Sequence, residues 1–520
     1  MPFPMNTRRK FLASSLAVAG SLVRTSVSTG AAPRRFASNP FTLGVASGYP
    51  SSGSVVLWTR LAPEPRAPGG GMPPEVVPVE WELAHDERIT SVVRRGVEYA
   101  TPEWAHSIHV EPEGLEPGRE YWYRFTAGEV RSPIGRTQTA PEHGASLDRL
   151  KFALVCCQHY EQGFFTAYRH IVADSPDLIV HVGDYIYESN SHLQVRSHDL
   201  PVAITLDDYR ARHALYRTDP DLAAAHAACP WLLVWDDHDV SNDYAGDVSE
   251  DNEDPRLFLA RRAAAYRAYY EHMPLPRWAV PNGPDMHMYG RRAFGDLASF
   301  LLLDQRQYRS PEACPPPGRA GGHRVDEKDC PDLDSGTRTM LGARQEDWAF
   351  AELAASPARW NILAQGTLMA HLNEEALPGH RYWPDAWNGY PAARARLMSF
   401  LDERRIANPV VLSGDIHAFV VSGLNRTPGD LQSRVVAPEF VTSSVSSDSQ
   451  PESYFTQARQ FNPNLLLATG LHRGYIRFGL THERLKADLI AISDVKKPGG
   501  QAQTLASFVV EPGKPTPVPA

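Results

Sequence analysis

The stretch covering residues 151–188 constrains the fold of this chain more than any other part of the sequence. Two unbroken apolar runs, 152–155 and 178–182, have the length and composition of strands that are buried on both faces. Between them, aromatic and branched residues recur at helical spacing over 164–172, so the pattern predicts a βαβ unit. Such a unit places the carboxyl ends of both strands at one edge of a sheet, where open α/β sheets bind ligands.

The pattern of an apolar run followed by polar residues recurs four more times toward the C-terminus. These runs are 231–235, 299–303, 360–364 and 410–413. Helices are predicted between them, including one that begins at Pro255 with Asp254 as its N-cap. We therefore expect one large α/β domain over residues 150–495, whose strand ends converge on a single site.

The region before this domain, residues 40–140, predicts a small β-sandwich of the immunoglobulin or fibronectin kind. Its short alternating runs are separated by turn residues such as Gly53 and Gly118. At the other end of the chain, residues 511–520 are rich in proline and are predicted to form a disordered tail. A chain of 520 residues, 42% of them hydrophobic, is long enough for two domains with sizeable cores.

Charge and the N-terminus indicate where the protein works. The formal net charge is -9 and no basic run occurs beyond the N-terminus, which argues against a nucleic-acid surface. Within residues 1–31, Arg8 and Arg9 precede a weakly apolar stretch that resembles a twin-arginine (Tat) export signal; a disordered tail with a chance arginine pair is the alternative. No later stretch reaches the ~20 apolar residues of a membrane-spanning helix. We predict a periplasmic or secreted protein, exported by the Tat machinery, without a permanent membrane anchor.

Residues able to bind metals or transfer protons stand at the ends of the predicted strands. They are Cys157, Asp184, Tyr187, Asp237, His238, Asp415 and His417. Any one of them is more often a turn former or a satisfied polar group. Thiolate, phenolate and imidazole together suit a transition metal, whereas carboxylates suit a hard cation such as calcium. The set predicts a two-metal site that activates water and clamps a phosphoryl group.

Three motifs at these strand ends resemble those of the PhoD-type alkaline phosphatases and phosphodiesterases. The motifs are GDYIY at 183–187, WDDHD at 235–239 and SGDIH at 413–417. This family is distantly related to the purple acid phosphatases within the calcineurin-like metallophosphoesterases. Further similar blocks are LGVASGYP at 43–50, CCQ at 156–158, LDQRQYR at 303–309, DAWNGYPAAR at 385–394 and EFVTSSVSS at 439–447. The resemblance therefore spans nearly the whole chain.

The resemblance implies a metallophosphatase αββα sandwich with an N-terminal all-β domain, which would hydrolyse phosphomonoesters and phosphodiesters through a binuclear iron and calcium site. The implied ligands are Cys157, Tyr187 and His417 for Fe3+, Asp184 as a bridge, and Asp237 and Asp415 for Ca2+. A second Ca2+ could be held with help from Asn242 or Asp243. Cys156 is the alternative thiolate; we favour Cys157 because it directly precedes Gln158, as in the family pattern.

Catalytic roles follow for two more residues. His238 is expected to donate a proton to the leaving oxygen or to bind a phosphate oxygen. Arg306 is a candidate phosphate clamp, and a salt bridge with Asp304 or Asp385 is an equally plausible role. The residues predicted to shape the substrate cleft are His159 and Tyr390, although aromatic side chains near a sheet edge are more often packing residues.

The remaining cysteines and the function leave alternatives open. Cys314 and Cys330 flank a proline- and glycine-rich insertion and could close it as a disulfide in an oxidising compartment, whereas Cys229 is expected to be a buried small hydrophobe.

The leading function is hydrolysis of phosphate esters of small molecules, lipids or polymers. The alternatives are a phospholipase D or narrow-specificity phosphodiesterase, and a non-catalytic envelope-binding protein.

Overall fold

The computed structural model describes residues 35–376 and 379–520. The predicted export signal, residues 1–31, lies outside the described residues. Within the described ranges, no helix combines the length and the apolar character that crossing a bilayer requires.

The N-terminal region forms two layers of strands, and one of these layers is continuous with the α/β region. Its strands are β1 (Val45–Gly48), β2 (Val56–Arg60), β3 (Val77–Ala84), β4 (Val92–Ala100), β5 (Ser107–Val110), β6 (Glu120–Ala127), β7 (Val130–Arg131) and β8 (Gly135–Gln138). Strands β3, β4, β6, β7 and β8 form their own sheet, whereas β1, β2 and β5 belong to a ten-stranded sheet. Leu57, Val79 and Tyr123 pack in the core that these layers share. The predicted sandwich is present, but it shares a sheet with the α/β region.

The α/β region is built on two large sheets with parallel centres. Its strands are β9 (Leu150–Val155), β10 (Leu178–Val182), β11 (Pro230–Val234), β12 (Gly290–Phe294), β13 (Ala298–Leu302), β14 (Val325–Asp326), β15 (Trp360–Ala364), β16 (Arg381–Tyr382), β17 (Pro409–Ser413), β18 (Phe419–Asn425), β19 (Val435–Val441), β20 (Leu465–Thr469), β21 (Arg473–Leu480), β22 (Leu485–Ile492), β23 (Ala502–Glu511) and β24 (Lys514–Pro519). The first sheet has the order β24-β23-β22-β21-β9-β10-β11-β1-β2-β5, and the second has the order β12-β13-β15-β17-β19-β18-β20. Strands β9, β10 and β11 run parallel, and so do β13, β15, β17 and β19.

Helices cover the two sheets and complete four layers. They are α1 (Thr166–Asp174), α2 (Leu206–Arg217), α3 (Pro220–Ala228), α4 (Pro255–His272), α5 (Ala343–Ala355), α6 (Pro391–Glu403) and α7 (Glu452–Phe461). The sheets meet face to face where Phe152 contacts Phe300, with ring centroids 5.3 Å apart. Helices α1, α3 and α4 pack into the main core with the first sheet, and α5, α6 and α7 pack against the second. The predicted αββα fold class is confirmed.

Burial explains why the central strands are continuous apolar runs. Every residue of β10, β11, β13, β15 and β17 is buried, because each strand is covered on both faces. The predicted βαβ unit corresponds to β9, α1 and β10. Within these strands the polar side chains are few and buried, such as His181, Ser299 and Asn361. The charged residues follow the strand ends, and the parallel strands of each sheet end at one edge.

The prediction of a disordered tail at 511–520 is wrong. Strand β24 pairs antiparallel with β23, with Val518 opposite Val509. A turn at Gly513, whose φ of 77° suits glycine, reverses the chain between them. β24 lies at the edge of the ten-stranded sheet, where proline is tolerated because one side of the strand needs no ladder partner.

The proline- and glycine-rich insertion is closed by a disulfide between Cys314 and Cys330. Its short strand β14 pairs with β16, and Val325, Leu333 and Tyr382 pack beside the disulfide in a small cluster. Cys229 is a buried free thiol, as predicted.

Candidate active site

Four of the predicted ligands lie in sharp turns at the ends of parallel strands. Cys157 follows β9, Asp184 follows β10, and Asp415 and His417 follow β17, with φ values of 55°, 55°, 67° and 54°. A left-handed backbone costs a non-glycine residue on the order of 1–3 kcal/mol, and such strain concentrates at functional sites. These turns bring residues from distant parts of the chain to one edge of the two sheets.

Tyr187 is at the centre of the predicted ligand set. Its hydroxyl donates to Asp184 Oδ2 at 2.9 Å and lies 2.9 Å from His417 Nε2. Cys157 joins this group, because Cys157 Sγ and ligand atoms of Asp184 and His417 all lie within 4.8 Å of one another. Three segments of the chain therefore supply a thiol, a phenol, an imidazole and a carboxylate to one small volume.

The orientation of His417 suits a ligand. Its Nδ1 contacts the carbonyl oxygen of Asp448 and therefore carries the proton. Nε2 then presents a lone pair toward the hydroxyl of Tyr187. Burial lowers the pKa of His417 to about 3, which keeps this imidazole neutral.

The two neighbouring thiols point in different directions. Cys157 Sγ lies with Asp184 and His417, whereas Cys156 Sγ faces the carbonyl oxygens of Thr442 and Ser443 at 3.7 Å and 3.9 Å. The geometry therefore favours Cys157 over Cys156 as the thiolate ligand.

Arg306 is surrounded by three carboxylates near the predicted calcium ligand Asp237. Its guanidinium contacts Asp236, donates to Asp385 Oδ1 at 2.6 Å and donates to Asp237 Oδ1 at 3.3 Å. The arginine side chain is 0% exposed. This arrangement corresponds to the salt-bridge alternative with Asp385 and not to a phosphate clamp open to substrate. Arg306 instead fixes the carboxylate of Asp237.

His238 lies beside both predicted metal positions. Its Nδ1 is 2.8 Å from Glu188 Oε2, and its ring lies 4.2 Å from that of Tyr187 between centroids. Burial alone would lower the pKa of His238, but the charges of Glu188, Asp237 and Asp184 raise it well above its usual value. The imidazolium form suits the predicted role as a proton donor.

The carboxylate of Asp239 connects the GDYIY and WDDHD turns. Oδ2 accepts the backbone N–H groups of Asp184 and Asp236, both at 3.0 Å, and Oδ1 accepts those of Tyr185 at 3.0 Å and Ile186 at 3.3 Å. Asp239 is not among the predicted site residues, although it ends the WDDHD block. An aspartate in the loop that follows a strand commonly accepts backbone N–H groups of a nearby turn, and that tendency is the signal the sequence offers.

Gly183 permits the close approach of these two turns. Its φ is 113°, and a Cβ at this position would lie 2.4 Å from the Cβ of Asp236. No other residue type fits here without displacing one of the turns.

A second group of carboxylates lies next to the first. Oxygens of Asp243, Glu312 and Asp385 lie within 4.8 Å of one another, and all three residues are buried. Oε1 of Glu312 and Oδ2 of Asp385 are buried without a hydrogen-bond partner among the described residues, whereas Oε2 of Glu312 lies 3.3 Å from His323 Nδ1. Nδ2 of Asn242, a predicted metal ligand, donates to Glu250 Oε2 at 2.9 Å. An amide binds a cation through its oxygen, so this contact does not occupy the ligand atom.

Asp184 and His417 of the first group and Asp243 of the second line one cavity of about 580 Å³. Its lining includes the predicted site residues Asp184, Asp237, His238, Asn242, Asp415 and His417. His159 and Tyr390 are absent from this lining. His159 is buried behind the ring of Tyr187, with centroids 4.4 Å apart, and the hydroxyl of Tyr390 donates to the carbonyl oxygen of Ser310 at 2.7 Å. The structure therefore does not bring these two residues to the substrate cleft.

The electrostatics of the site call for bound cations. Burial raises the pKa of Asp184 well above its usual value, and the charge of Asp237 raises it further. Burial and the nearby Asp236 do the same to Asp415, and burial also raises the pKa of the Cys157 thiol. Oδ1 of Asp184 is buried and lacks a hydrogen-bond partner among the described residues. Cations bound here would balance these charges, and the donor set fits them.

Comparisons with known proteins match this arrangement. The family model described as PhoD-like phosphatase matches residues 152–489, and the model described as its N-terminal domain matches residues 26–141. Alkaline phosphatase D of Bacillus subtilis (strain 168) is 44% identical to this chain, over 98% of this chain and 88% of that protein. A solved structure of PhoD superimposes with a TM-score of 0.89 at 44% identity, covering 94% of this chain and 93% of that chain.

Proposed function

The chain belongs to the PhoD-like phosphatase family, and we propose that it is an exported phosphomonoesterase and phosphodiesterase whose clustered side chains hold iron and calcium. Hydrolysis of phosphoric esters follows from the family, which removes the non-catalytic binding alternative. The observation that carries the finer proposal is the convergence of Tyr187, Asp184, His417 and Cys157 within one buried group.

Ligand chemistry supports the identity of the cations. Cys157, Tyr187 and His417 offer a thiolate, a phenolate and an imidazole, and this combination suits iron. Asp184 has one oxygen without a partner among the described residues and can serve both positions. When bound, the cations supply an activated water and neutralise charge on the phosphoryl oxygens.

The carboxylates of the site support the proposal that calcium is the second cation. Asp237 and Asp415 line the cavity and offer the hard oxygen donors that calcium prefers. The buried group of Asp243, Glu312 and Asp385 is a candidate for a second calcium, alongside Asn242. Oδ2 of Asp385 and Oε1 of Glu312 have no hydrogen-bond partner within the described ranges, whereas Oε2 of Glu312 lies 3.3 Å from His323 Nδ1.

Two residues of the chain act on substrate and site geometry. His238, whose Nδ1 pairs with Glu188, has Nε2 available to donate a proton to the leaving oxygen. Arg306 is a positioning residue, because its hydrogen bonds to Asp236, Asp237 and Asp385 orient the carboxylates. Because Arg306 is engaged by carboxylates, bound cations and His238 would hold the substrate phosphate.

Export through the Tat machinery rests on two observations. Arg8 and Arg9 precede a weakly apolar stretch near the N-terminus. The disulfide between Cys314 and Cys330 suits an oxidising compartment, where such bonds persist. Expression of the wild-type chain and of an Arg8→Lys, Arg9→Lys variant, followed by cell fractionation, tests this part. We expect the variant to stay inside the cell, and export of the variant at the wild-type level would contradict the Tat route.

Elemental analysis of the purified protein, together with three substrate assays, tests the main proposal. We expect iron and calcium, with turnover of p-nitrophenyl phosphate and bis(p-nitrophenyl) phosphate. Zinc or manganese alone would require a different assignment of the ligands. Phosphatidylcholine is the third substrate, because Leu368, Leu372 and Phe455 give the cavity an apolar wall that could hold a lipid. Turnover of phosphatidylcholine alone would favour a phospholipase D.

A further inference from the structure

We propose that Arg319 and Arg324 form a subsite for a second anionic group of the substrate, away from the ester that is cleaved. Both residues belong to the segment closed by the disulfide between Cys314 and Cys330. The inference rests on the proposed hydrolysis of phosphoric esters and names the substrates that the cavity prefers. These are esters that carry a further phosphate or carboxylate.

The cavity has room for more than the phosphoryl group. Its volume of about 580 Å³ is in the range that holds ligands of drug-like size. Asp184, Asp237 and His417 line it at the candidate metal positions, whereas Arg319 and Arg324 line it from the disulfide-closed segment. A substrate that is bound at the metal positions therefore has space to extend toward the two arginines.

Charge explains why the arginines matter for an anionic substrate. Apart from them, the charged side chains of the described lining are acidic, with the exception of histidine. These acidic residues are Asp184, Asp237, Asp243, Glu250, Glu374, Asp415 and Asp448. The cations compensate the carboxylates where the ester is cleaved. A second anion would be repelled elsewhere in the cavity, and Arg319 and Arg324 are the guanidinium groups of the described lining that can receive it.

Each arginine forms an ion pair that orients it, and part of its side chain remains exposed. Arg319 Nη2 contacts Glu250, and Arg324 Nε contacts Glu374, while the arginine side chains are 46% and 45% exposed. Because each guanidinium is about half exposed, water already competes with its ion pair, and a phosphate can share the guanidinium with the carboxylate. A guanidinium can also donate to two phosphate oxygens at once. Arg324 lies 5.2 Å from the ring centroid of Trp383, which further restricts its orientation.

The backbone that carries the arginines is anchored on three sides. The disulfide closes its ends, Val325 of β14 pairs with Tyr382 of β16, and the Ala320 N–H donates to the carbonyl oxygen of Glu250 at 2.8 Å. An anchored segment loses little conformational entropy when a ligand binds. The subsite is therefore largely formed before substrate arrives.

Two probes that differ by one phosphate test the proposal. Thymidine 5′-(p-nitrophenyl phosphate) and its 3′-phosphate derivative both release p-nitrophenolate from the same diester, and only the second carries a further phosphate. Initial rates of p-nitrophenolate release are compared, before the proposed monoesterase activity removes the 3′-phosphate. We expect the metal-loaded wild-type protein to prefer the 3′-phosphorylated probe in kcat/KM. The Arg319→Ala, Arg324→Ala double variant should lower that preference about tenfold, chiefly through KM, because charge-assisted hydrogen bonds are lost.

Arg396 provides a matched control. It donates to Glu346 at 2.7 Å, its side chain is 38% exposed, and it does not line the cavity. Arg396→Ala should leave the preference between the two probes unchanged. A loss of preference in this variant equal to that in the double variant would overturn the assignment, because it would reflect net charge and not a subsite.

Further outcomes separate failure of the subsite from failure of the proposed function. If wild-type protein cleaves both probes without preference, or if the double variant keeps the preference, the subsite is wrong and the esterase proposal stands. If neither probe releases p-nitrophenolate while the protein carries its metals, the proposed diesterase function itself fails. Salt dependence on wild-type protein needs no variant: the preference should fall as ionic strength rises, and a salt-independent preference would contradict binding by exposed arginines.

Discussion

The carboxylate of Asp239 offers the sharpest test of how the site is held together. Replacing it with alanine removes the acceptor for four buried backbone N–H groups, those of Asp184, Tyr185, Ile186 and Asp236. An unsatisfied buried donor costs about 1–3 kcal/mol, and such costs do not add fully when the turns can relax or admit water. We therefore expect Asp239→Ala to lower the free energy of unfolding by about 4 kcal/mol.

The same substitution, Asp239→Ala, should also lower the metal content of the protein. Without the shared carboxylate, the turn that carries Asp184 and the turn after β11 lose their common anchor. Small displacements of ligands weaken metal binding strongly. Urea unfolding measures the stability, and elemental analysis of the purified variant measures the metal content. We expect iron and calcium contents to fall together with activity.

Asp219 supplies a control that separates metal loss from lower stability. This residue caps α3 by accepting the N–H groups of Asp221 and Leu222, at 3.0 Å and 3.2 Å, and it does not line the cavity. Asp219 also accepts a hydrogen bond from Arg196 Nη1 at 2.6 Å. Asp219→Ala should therefore lower stability by about 2–3 kcal/mol, with metal content retained. The reasoning is refuted if Asp239→Ala stays within about 1 kcal/mol of wild type and keeps its metals.

Three further measurements probe the ligands. If Tyr187 is a ligand of ferric iron, Tyr187→Phe should abolish a visible charge-transfer band of the coloured protein; an unchanged spectrum would remove Tyr187 from the ligand set. Cys157→Ser should lower the iron content whereas Cys156→Ser should retain it, and the reverse result would assign the thiolate to Cys156. Chelation should lower the melting temperature, because the raised pKa of Asp184 makes its charged form unfavourable in the metal-free fold. A carboxyl group whose pKa is higher in the folded state destabilises as pH rises, so the stability gap between metal-loaded and metal-free protein should widen with pH; a constant gap would contradict this linkage.

Much of the architecture was predictable because its signals are local in the chain. Continuous apolar runs of about five residues indicate strands covered on both faces, and helical spacing between them indicates crossover connections. Parallel strands end at a common edge, so residues after β9, β10 and β17 had to approach one another once the sheets formed. Their chemical types, including the thiol of Cys157 and the imidazole of His417, already indicated cations.

The hydrogen-bond partners and the orientations of the site side chains were not predictable, because they depend on segments far apart in sequence. Arg306 could have faced a substrate phosphate, yet Asp236 and Asp385 from two other loops surround it. The sequence predicted that Tyr390 shapes the substrate cleft, but its hydroxyl donates to the backbone carbonyl of Ser310.

The order of residues along the chain thus specifies the buried strands of the α/β region and the reactive groups that stand at their ends. It does not specify which neighbours those groups meet. The joining of β1 to β11, the edge position that makes β24 a strand, and the carboxylates gathered around Arg306 all arise from packing between distant segments. Burial and hydrogen-bond satisfaction act on the assembled fold as a whole, so these features exist only in the tertiary structure.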